Sequence, residues 1–497
     1  MNIKFNSIVE TVAAHAAANP DQRCMAEMNK ICTYGELWAQ ILRHAACLKK
    51  AGVKKGDRVV LHSSQTIWHA ASLLAIHLVG AIAVPVEKKI AISRMEEIAE
   101  QVETHLIVAP RRLEIDIPQI TRDDFDAFED DGSFTYTFPE KDDLCDIMFT
   151  TGTTGKSKGV LRTHLNELAA GESVAHYGSL DENEVALVPF PLNHSGGIGR
   201  LYACLIAKTL MVPTDGVVFV QTFYALMDKY GVTIMFLAPA HLGILLNRSE
   251  DHLRTYNGKL RMVTIGSAYL DEATRQHLLT VLPDVKLYIT YGATESSSAC
   301  SFEFSKHRDK PRCIGLANLN TRILITDENG VEMPDATPQN PGFIAHEGPT
   351  VVPGYWREPE LSASVLKNGR LVTHDLGYID EEGFIYIYGR ADDVIISGGN
   401  KIAPFEIEDI VMGLPEVLEC ACIPVEDALL GAAPKLYVVL REGYELDVKG
   451  IIRHLQSRLE QFKVPTMIAQ IDEIPKTSGS NKINRKALIE IDRAAKA

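Results

Sequence analysis

Residues 149–160, FTTGTTGKSKGV, decide how the rest of the chain is read. They follow DIMF, residues 146–149, which reads as a short buried strand, and they precede a helical pattern starting near Thr163. The stretch holds glycines at 152, 155 and 159, hydroxyls at Thr150, Thr151, Thr153 and Thr154, and cations at Lys156 and Lys158. Such a loop suits a phosphate chain. Gly152 and its fellow glycines let backbone N–H groups converge on an anion, the hydroxyls add donors and the lysines add charge. The rival pattern G-x-x-x-x-G-K-[ST] fits Gly155, Lys156 and Ser157, but its first glycine would fall on Thr150.

The composition bounds what surrounds this loop. At 497 residues the chain is too long for one core, so a large domain plus a smaller one is expected. Apolar residues at 46% and charged residues at 23% are the proportions of a soluble globular protein. A net charge of −15 leaves no broad basic footprint for nucleic acid or an anionic membrane, so anionic substrates must meet local cations. The nine cysteines are scattered, with only Cys420 and Cys422 close together, and read as reduced core thiols of a cytoplasmic protein. The N-terminus carries Glu10 and no secretory pattern. The uncharged run 67–86 is interrupted by His69, Ser72, His77, Gly80 and Pro85, and reads as a helix handing over to a buried strand, not as a membrane span.

Taken in order, residues 6–18 form a helical pattern stopped by Asn19-Pro20, and Thr33 with Glu36 makes a capping box for a helix whose face is Leu37, Ile41, Ala45 and Leu48. RVVLH (58–62), AIAVPV (81–86) and HLIVA (105–109) alternate with helices, as do EVALVPF, TIMFLAP, RMVTIGS and KLYITYG after the loop. This predicts an α/β fold with wound parallel sheets, whose ligands gather at the carboxyl ends of the strands. After Pro311 short strands broken by turns suggest a small barrel-like antiparallel subdomain. A last segment of about a hundred residues is long enough for a small α+β domain. One of its helices is given the stripe Ile451, Ile452, Leu455, Leu459 and Phe462.

YGATE, residues 291–295, ends an apolar strand. A flat ring, a hydroxyl and a carboxylate there can stack a purine, hold a phosphate oxygen and bind Mg²⁺ through oxygen.

The loop pattern GTTG-x-x-KG resembles the phosphate loop of the adenylate-forming superfamily, which contains acyl- and aryl-CoA synthetases, carrier-protein adenylation domains and luciferases. Six fixed residues at roughly 6% usage each give a chance expectation on the order of 10⁻⁵. The resemblance covers nearly the whole chain, in the family's motif order. It implies that Thr150, Thr151, Gly152, Thr153, Thr154, Lys158, Gly292 and Ala293 bind ATP or AMP, with adenine on Tyr291, the α-phosphate on Thr294 and the metal on Glu295. It further implies a ribose grip by Asp375 assisted by Arg390, with His374 standing where the family has glycine. Asp392 matches the hinge between residues 1–391 and a mobile domain 392–497, and Gly398 and Gly399 match the approach to the pantetheine arm of coenzyme A. Within PKTSGSNKINRKAL, Lys482 matches the catalytic lysine, with Asn481 in place of the usual glycine and an altered spacing after Pro475. His194 in PFPLNHSGG matches a residue near the acyl carboxylate. Gly266, Ser267 and Ala268 match the strand end that lines the adenine and acyl pocket. The acyl pocket is expected from His194, Ser195 and Gly196 through Arg200, and from Leu237, Ser267, Ala268 and Ala293.

The implied reaction joins a small-molecule carboxylic acid to CoA with ATP and Mg²⁺, through an acyl-adenylate. A lysine ~3 Å from an α-phosphate oxygen contributes ~5 kcal/mol at an effective dielectric of ~20, so Lys482 is expected to dominate the first half-reaction. Two other readings stay open: a stand-alone enzyme loading a carrier protein, and a nucleotide-binding relative without turnover. A homodimer is left open as well.

Overall fold

The computed structural model of the chain describes residues 4–150, 157–476 and 483–495. The apolar runs wind two sheets, as expected. In the first, Arg58–His62 lies between Ile82–Val86 and Leu106–Ala109, all parallel, with Gln119–Thr121 beyond and Leu144–Thr150 beside Ile82–Val86. These strands are buried on both faces, which is why they read as continuous apolar runs. The uncharged run 67–86 becomes the helix Ile67–Leu78, then Gly80 at φ +75°, then the strand Ile82–Val86. Among the described residues no helix is long and apolar enough to cross a membrane.

The chain does not pass from the phosphate loop directly to a helix. Lys158–Thr163 is a strand, antiparallel to Leu144–Thr150, with Thr150 opposite Lys158. Val160, Leu161 and Thr163 suit a pleated surface. The helix His164–Gly178 starts only where the Thr163 side chain accepts from the backbone of Asn166, whose own side chain returns the bond.

In the second sheet Leu210–Pro213, Val185–Val188, Ile234–Leu237, Met262–Ile265 and Lys286–Ala293 run parallel. Ser297–Glu303 and Cys313–Ala317 then add antiparallel strands. The ladder continues without a break through Ile385–Arg390, Arg370–Ile379, Gly342–Glu347 and Arg322–Thr326, so the antiparallel strands expected after Pro311 are present and extend this sheet in a linear order. The main core includes residues of both wound sheets, such as Val59, Leu61, Val188 and Phe236, together with helices Ile67–Leu78 and Ser195–Ala207. The predicted face of the helix Tyr34–Lys50, with Leu37, Ile41, Ala45 and Leu48, is wholly buried.

The last segment has the strands Val417–Asp427, Gly431–Leu440 and Met467–Gln470 in one sheet. One face packs Ile407, Val411, Leu436, Ile451 and Leu455, and the other Ala421, Ile423, Ile474 and Leu488. The helix carrying Ile451 ends at Gln456, so the expected stripe is cut short. Phe462 falls in the 3₁₀ turn Gln461–Lys463 and is 40% exposed. Helix Pro404–Met412 meets the larger part through polar groups and through Phe405, which packs in a small apolar cluster with Leu376 and Tyr388 and lies 6.0 Å from the Tyr269 ring. Tyr269 and the backbone N–H of Glu272 donate to Asp409 at 3.1 and 3.0 Å, and Arg312 lies 3.3 Å from Glu406.

Candidate active site

The strand Lys286–Ala293 carries Tyr291 to its edge, where the Tyr291 hydroxyl donates to Asp375 Oδ2 at 2.6 Å. Asp375 stands opposite Arg390 in the antiparallel ladder, their charged groups 3.9 Å apart. The residues assigned to adenine and ribose therefore lie together. Burial raises the Tyr291 phenol well above its ordinary pKa and the Asp375 charge raises it further, so it stays a neutral donor. Gly292 sits at a bulge where a Cβ would stand 1.7 Å from the Ser297 carbonyl oxygen, and only glycine fits.

Glu295 follows two residues after that strand. Its Oε1 accepts from the Tyr355 hydroxyl at 2.7 Å, and Lys158 Nζ lies 5.8 Å from the centre of the same Tyr355 ring. Tyr355 thus joins the metal candidate to the end of the phosphate loop. It is brought there because Gly354–Tyr355 pairs with Lys158–Thr163. The remaining oxygen of Glu295 and the hydroxyl of Thr294 are hard donors of the kind Mg²⁺ takes. A second group with ligand-like spacing, His77, Cys145 and Asp146, is wholly buried and bonded within itself, His77 Nε2 to Asp146 at 3.1 Å and the Cys145 thiol to Asp146 at 3.4 Å. Burial raises the Cys145 thiol well above its ordinary pKa, so it stays protonated.

Beneath Thr294 lies a residue that the sequence reading passed over. Arg162 donates through Nη1 to the Thr294 carbonyl at 2.5 Å and through Nη2 to the Ser297 hydroxyl at 2.7 Å, while its Nε bonds Glu167. Both charged side chains are 1% exposed. Burial works against the Arg162 charge, but Glu167 beside it more than offsets this and the pKa is raised. A signal existed for Arg162: a lone charge inside the short apolar run VLRT. Tyr355 gave none, because its partners lie far off in sequence.

At the acyl end His194 caps the helix Ser195–Ala207, its Nδ1 accepting from the Gly196 N–H at 3.4 Å, with its ring exposed. Gly266, which donates to the Leu237 carbonyl at 3.0 Å, leads into Ser267 and Ala268, both exposed at the end of the strand Met262–Ile265. Ser267 holds φ +78° there. The Leu237 side chain, expected in the acyl pocket, is fully buried in a core cluster with Val212, Leu242 and Val263. Strand alternation is the reason: its neighbour Phe236 takes the other face, toward Phe190 and Arg200.

Thr151, Gly152, Thr153, Thr154 and Lys482 lie outside the described residues; Thr150 and Lys158 flank the first group, and Lys476 and Ile483, which pair as an antiparallel bridge, flank the lysine. Lys476 is engaged by Glu419. Gly398 and Gly399 have φ +55° and +86° at the tip of the hairpin Ile395–Ser397 and Asn400–Ile402, a turn that needs positive φ at both positions. Asp392 lies 3.5 Å from His374 Nδ1 and 4.0 Å from Arg390, so the histidine that replaces glycine faces the hinge candidate.

Residues 12–356 match the family described as AMP-binding enzyme, and residues 406–481 match the AMP-binding enzyme C-terminal domain. The chain is 28% identical over 471 residues to the 2-succinylbenzoate–CoA ligase of Geobacillus sp. (strain WCH70), covering 92% of each. It is 28% identical over 481 residues to the enzyme of the same name from Bacillus cereus (strain Q1), covering 96% of this chain and 97% of that one. Among solved structures, ATP-bound MatB from Rhodopseudomonas palustris superposes with a TM-score of 0.87 at 25% identity, over 99% of this chain and 100% of that one. The o-succinylbenzoate CoA synthetase (MenE) from Bacillus subtilis, in complex with the acyl-adenylate intermediate OSB-AMP, gives 0.85 at 24% identity, over 96% and 97%. Motif order, a shared ladder for Tyr291, Asp375 and Arg390, and a family match over most of its length lead to one conclusion: this chain belongs to the AMP-binding enzyme family.

Proposed function

We propose that the chain is an ATP-dependent carboxylic acid:CoA ligase that forms an acyl-adenylate, then a thioester, releasing pyrophosphate and AMP. The observation that carries this is the continuous line from Arg390 and Asp375 through Tyr291 to Glu295, Tyr355 and Lys158, which matches a nucleoside at one end and a phosphate chain at the other. The relatives named as CoA ligases support CoA as the thiol acceptor.

In this reading Asp375 and Arg390 hold the ribose, the Tyr291 ring lies against adenine, and the loop from Thr150 to Lys158 wraps the phosphates. Mg²⁺ held at Glu295 supplies positive charge against the phosphate oxygens. Arg162 fixes the backbone of Thr294, so that its hydroxyl meets the α-phosphate without reorganisation. The acid's carboxylate attacks the α-phosphorus, and Lys482 stabilises the charge that develops there. The domain 392–497 then turns about Asp392, withdrawing Lys482 and bringing Gly398 and Gly399 to the thiol entrance. Its separate cores favour such movement: water can replace the bonds through Asp409 and Arg312, and the apolar contact of Ala403 and Phe405 with Leu376 and Tyr388 is small beside those cores. Nine buried free thiols fit a reducing cytoplasmic setting.

The test is pyrophosphate release with ATP and Mg²⁺ over a panel of acids, with and without CoA. Release with a CoA thioester as product is the expected result. Release without thioester would favour a carrier protein, and silence with every acid would overturn the ligase. Lys482→Ala should lower adenylation by roughly 10³ or more while sparing thioester formation from supplied adenylate. Equal loss of both halves would remove Lys482 from the first step.

A further inference from the structure

Among the described residues three arginine side chains are nearly or wholly buried: Arg162 at 1%, Arg275 at 2% and Arg200 at 7% exposure. Arg162 has Glu167, and Arg275 has Glu272 at 3.9 Å. For Arg200 no carboxylate lies within ion-pair distance among the described residues. Its Nη1 donates to the Gly196 carbonyl at 3.2 Å, and its guanidinium lies 5.4 Å from the ring centre of Phe190 and 5.5 Å from that of Phe236. Among the described residues neither its Nε nor the Tyr177 hydroxyl, both buried, has a partner in good hydrogen-bond geometry. The two groups are neighbours: burial raises the Tyr177 phenol, and the Arg200 charge and a side-chain contact with Arg200 offset part of that rise.

A buried charge without a counter-charge is costly, and two aromatic faces and one carbonyl do not replace a carboxylate. A guanidinium presents a planar fork that fits a carboxylate through two parallel N–H bonds. The side chain runs back toward the first turn of its helix, where His194, Ser195 and Gly196 stand at the acyl end of the site. The guanidinium therefore stands beside the residues expected to line the acid's pocket.

We propose that Arg200, with the Tyr177 hydroxyl beside it, receives a second carboxylate at the far end of the acid, so that the substrate is a dicarboxylic acid. The inference rests on the acid:CoA ligase reading and names its substrate class. The second carboxylate is bound, not transformed; the activated one alone meets ATP. Phe190 and Phe236 flank the guanidinium and leave the spacer between the carboxylates apolar or aromatic.

The experiment compares matched pairs in pyrophosphate release: succinate with butyrate, phthalate with benzoate, and 2-succinylbenzoate with 4-oxo-4-phenylbutyrate. In the productive pair kcat/KM for the diacid should exceed that for the monoacid by roughly 100-fold or more, and Arg200→Gln should cut that ratio to about 10 or less. The diacid should also raise the melting temperature of the wild type without ATP, and fail to raise that of Arg200→Gln. A monoacid used as well as its diacid, or a ratio unchanged in Arg200→Gln, overturns the proposal while leaving the ligase intact. Should no acid release pyrophosphate, the ligase reading fails. The thermal shift then decides alone: a shift confined to the wild type sustains the anion site, and none removes it.

Discussion

Arg162 and Arg200 are both arginines shut away from water, and they teach opposite lessons. Arg162 is complete: Glu167 takes its Nε, and Thr294 and Ser297 take its two terminal nitrogens. Arg200 has one carbonyl, two rings and the Tyr177 hydroxyl near it, and no carboxylate within ion-pair distance among the described residues. A buried cation with its counter-charge is part of the frame and holds other groups still. One without a counter-charge carries a desolvation cost that an anionic ligand, as proposed above, would offset.

The largest expected effect breaks the complete side. Arg162→Met leaves Glu167 buried and unpaired and should lower stability by about 3–5 kcal/mol, read from urea unfolding. A loss under about 1 kcal/mol would show that water reaches Glu167 and that the pair is not the frame it is taken for. Arg162→Met with Glu167→Leu sharpens the point. An apolar pair of similar volume should restore most of the stability, yet pyrophosphate release should stay down by about 10-fold, because nothing then holds the Thr294 backbone.

Next in size is Arg200→Met in the absence of acid. Its melting temperature should equal or exceed that of the wild type, since the substitution removes a charge that has no partner. A clear fall would place Arg200 with Arg162 among the framework residues. Tyr355→Phe should have the smallest effect. Losing the bond that orients Glu295 should raise the Mg²⁺ needed for half-maximal rate by about 10-fold, with little change in melting temperature. An unaltered Mg²⁺ requirement would take Tyr355 out of the metal site.

What was legible in the sequence follows the range over which its signals act. Arg58–His62 matches the predicted RVVLH because an apolar β-branched run states its own conformation, and Thr33 with Glu36 announces its helix from three residues away. Lys158–Thr163 was hidden by the glycine and lysines at its start, which belong to the loop chemistry and mask a strand. Phe462 looked like the end of a helical stripe, but periodicity does not show where a helix stops. The residues proposed for the nucleotide could be named because their motifs are local. Tyr355 and Arg162 were missed because their roles exist only across chain separations of 60 residues to Glu295 and 132 to Thr294. The phase of the strand at Leu237 is not legible in the sequence; the structure puts Leu237 and Phe236 in different core clusters.

The unbroken ladder from the second sheet into the antiparallel subdomain also governs when the protein acquires its nucleotide. Tyr291 and Asp375 are 84 residues apart, and contacts of such high order close late in folding. A nascent chain that has emerged only through Glu295 already carries the phosphate loop, yet it lacks Tyr355, Asp375 and Arg390, and so half the cradle. During refolding, helical content should return ahead of AMP binding. Occupancy by nucleotide is then a certificate that synthesis has run well past the motif that first betrayed it.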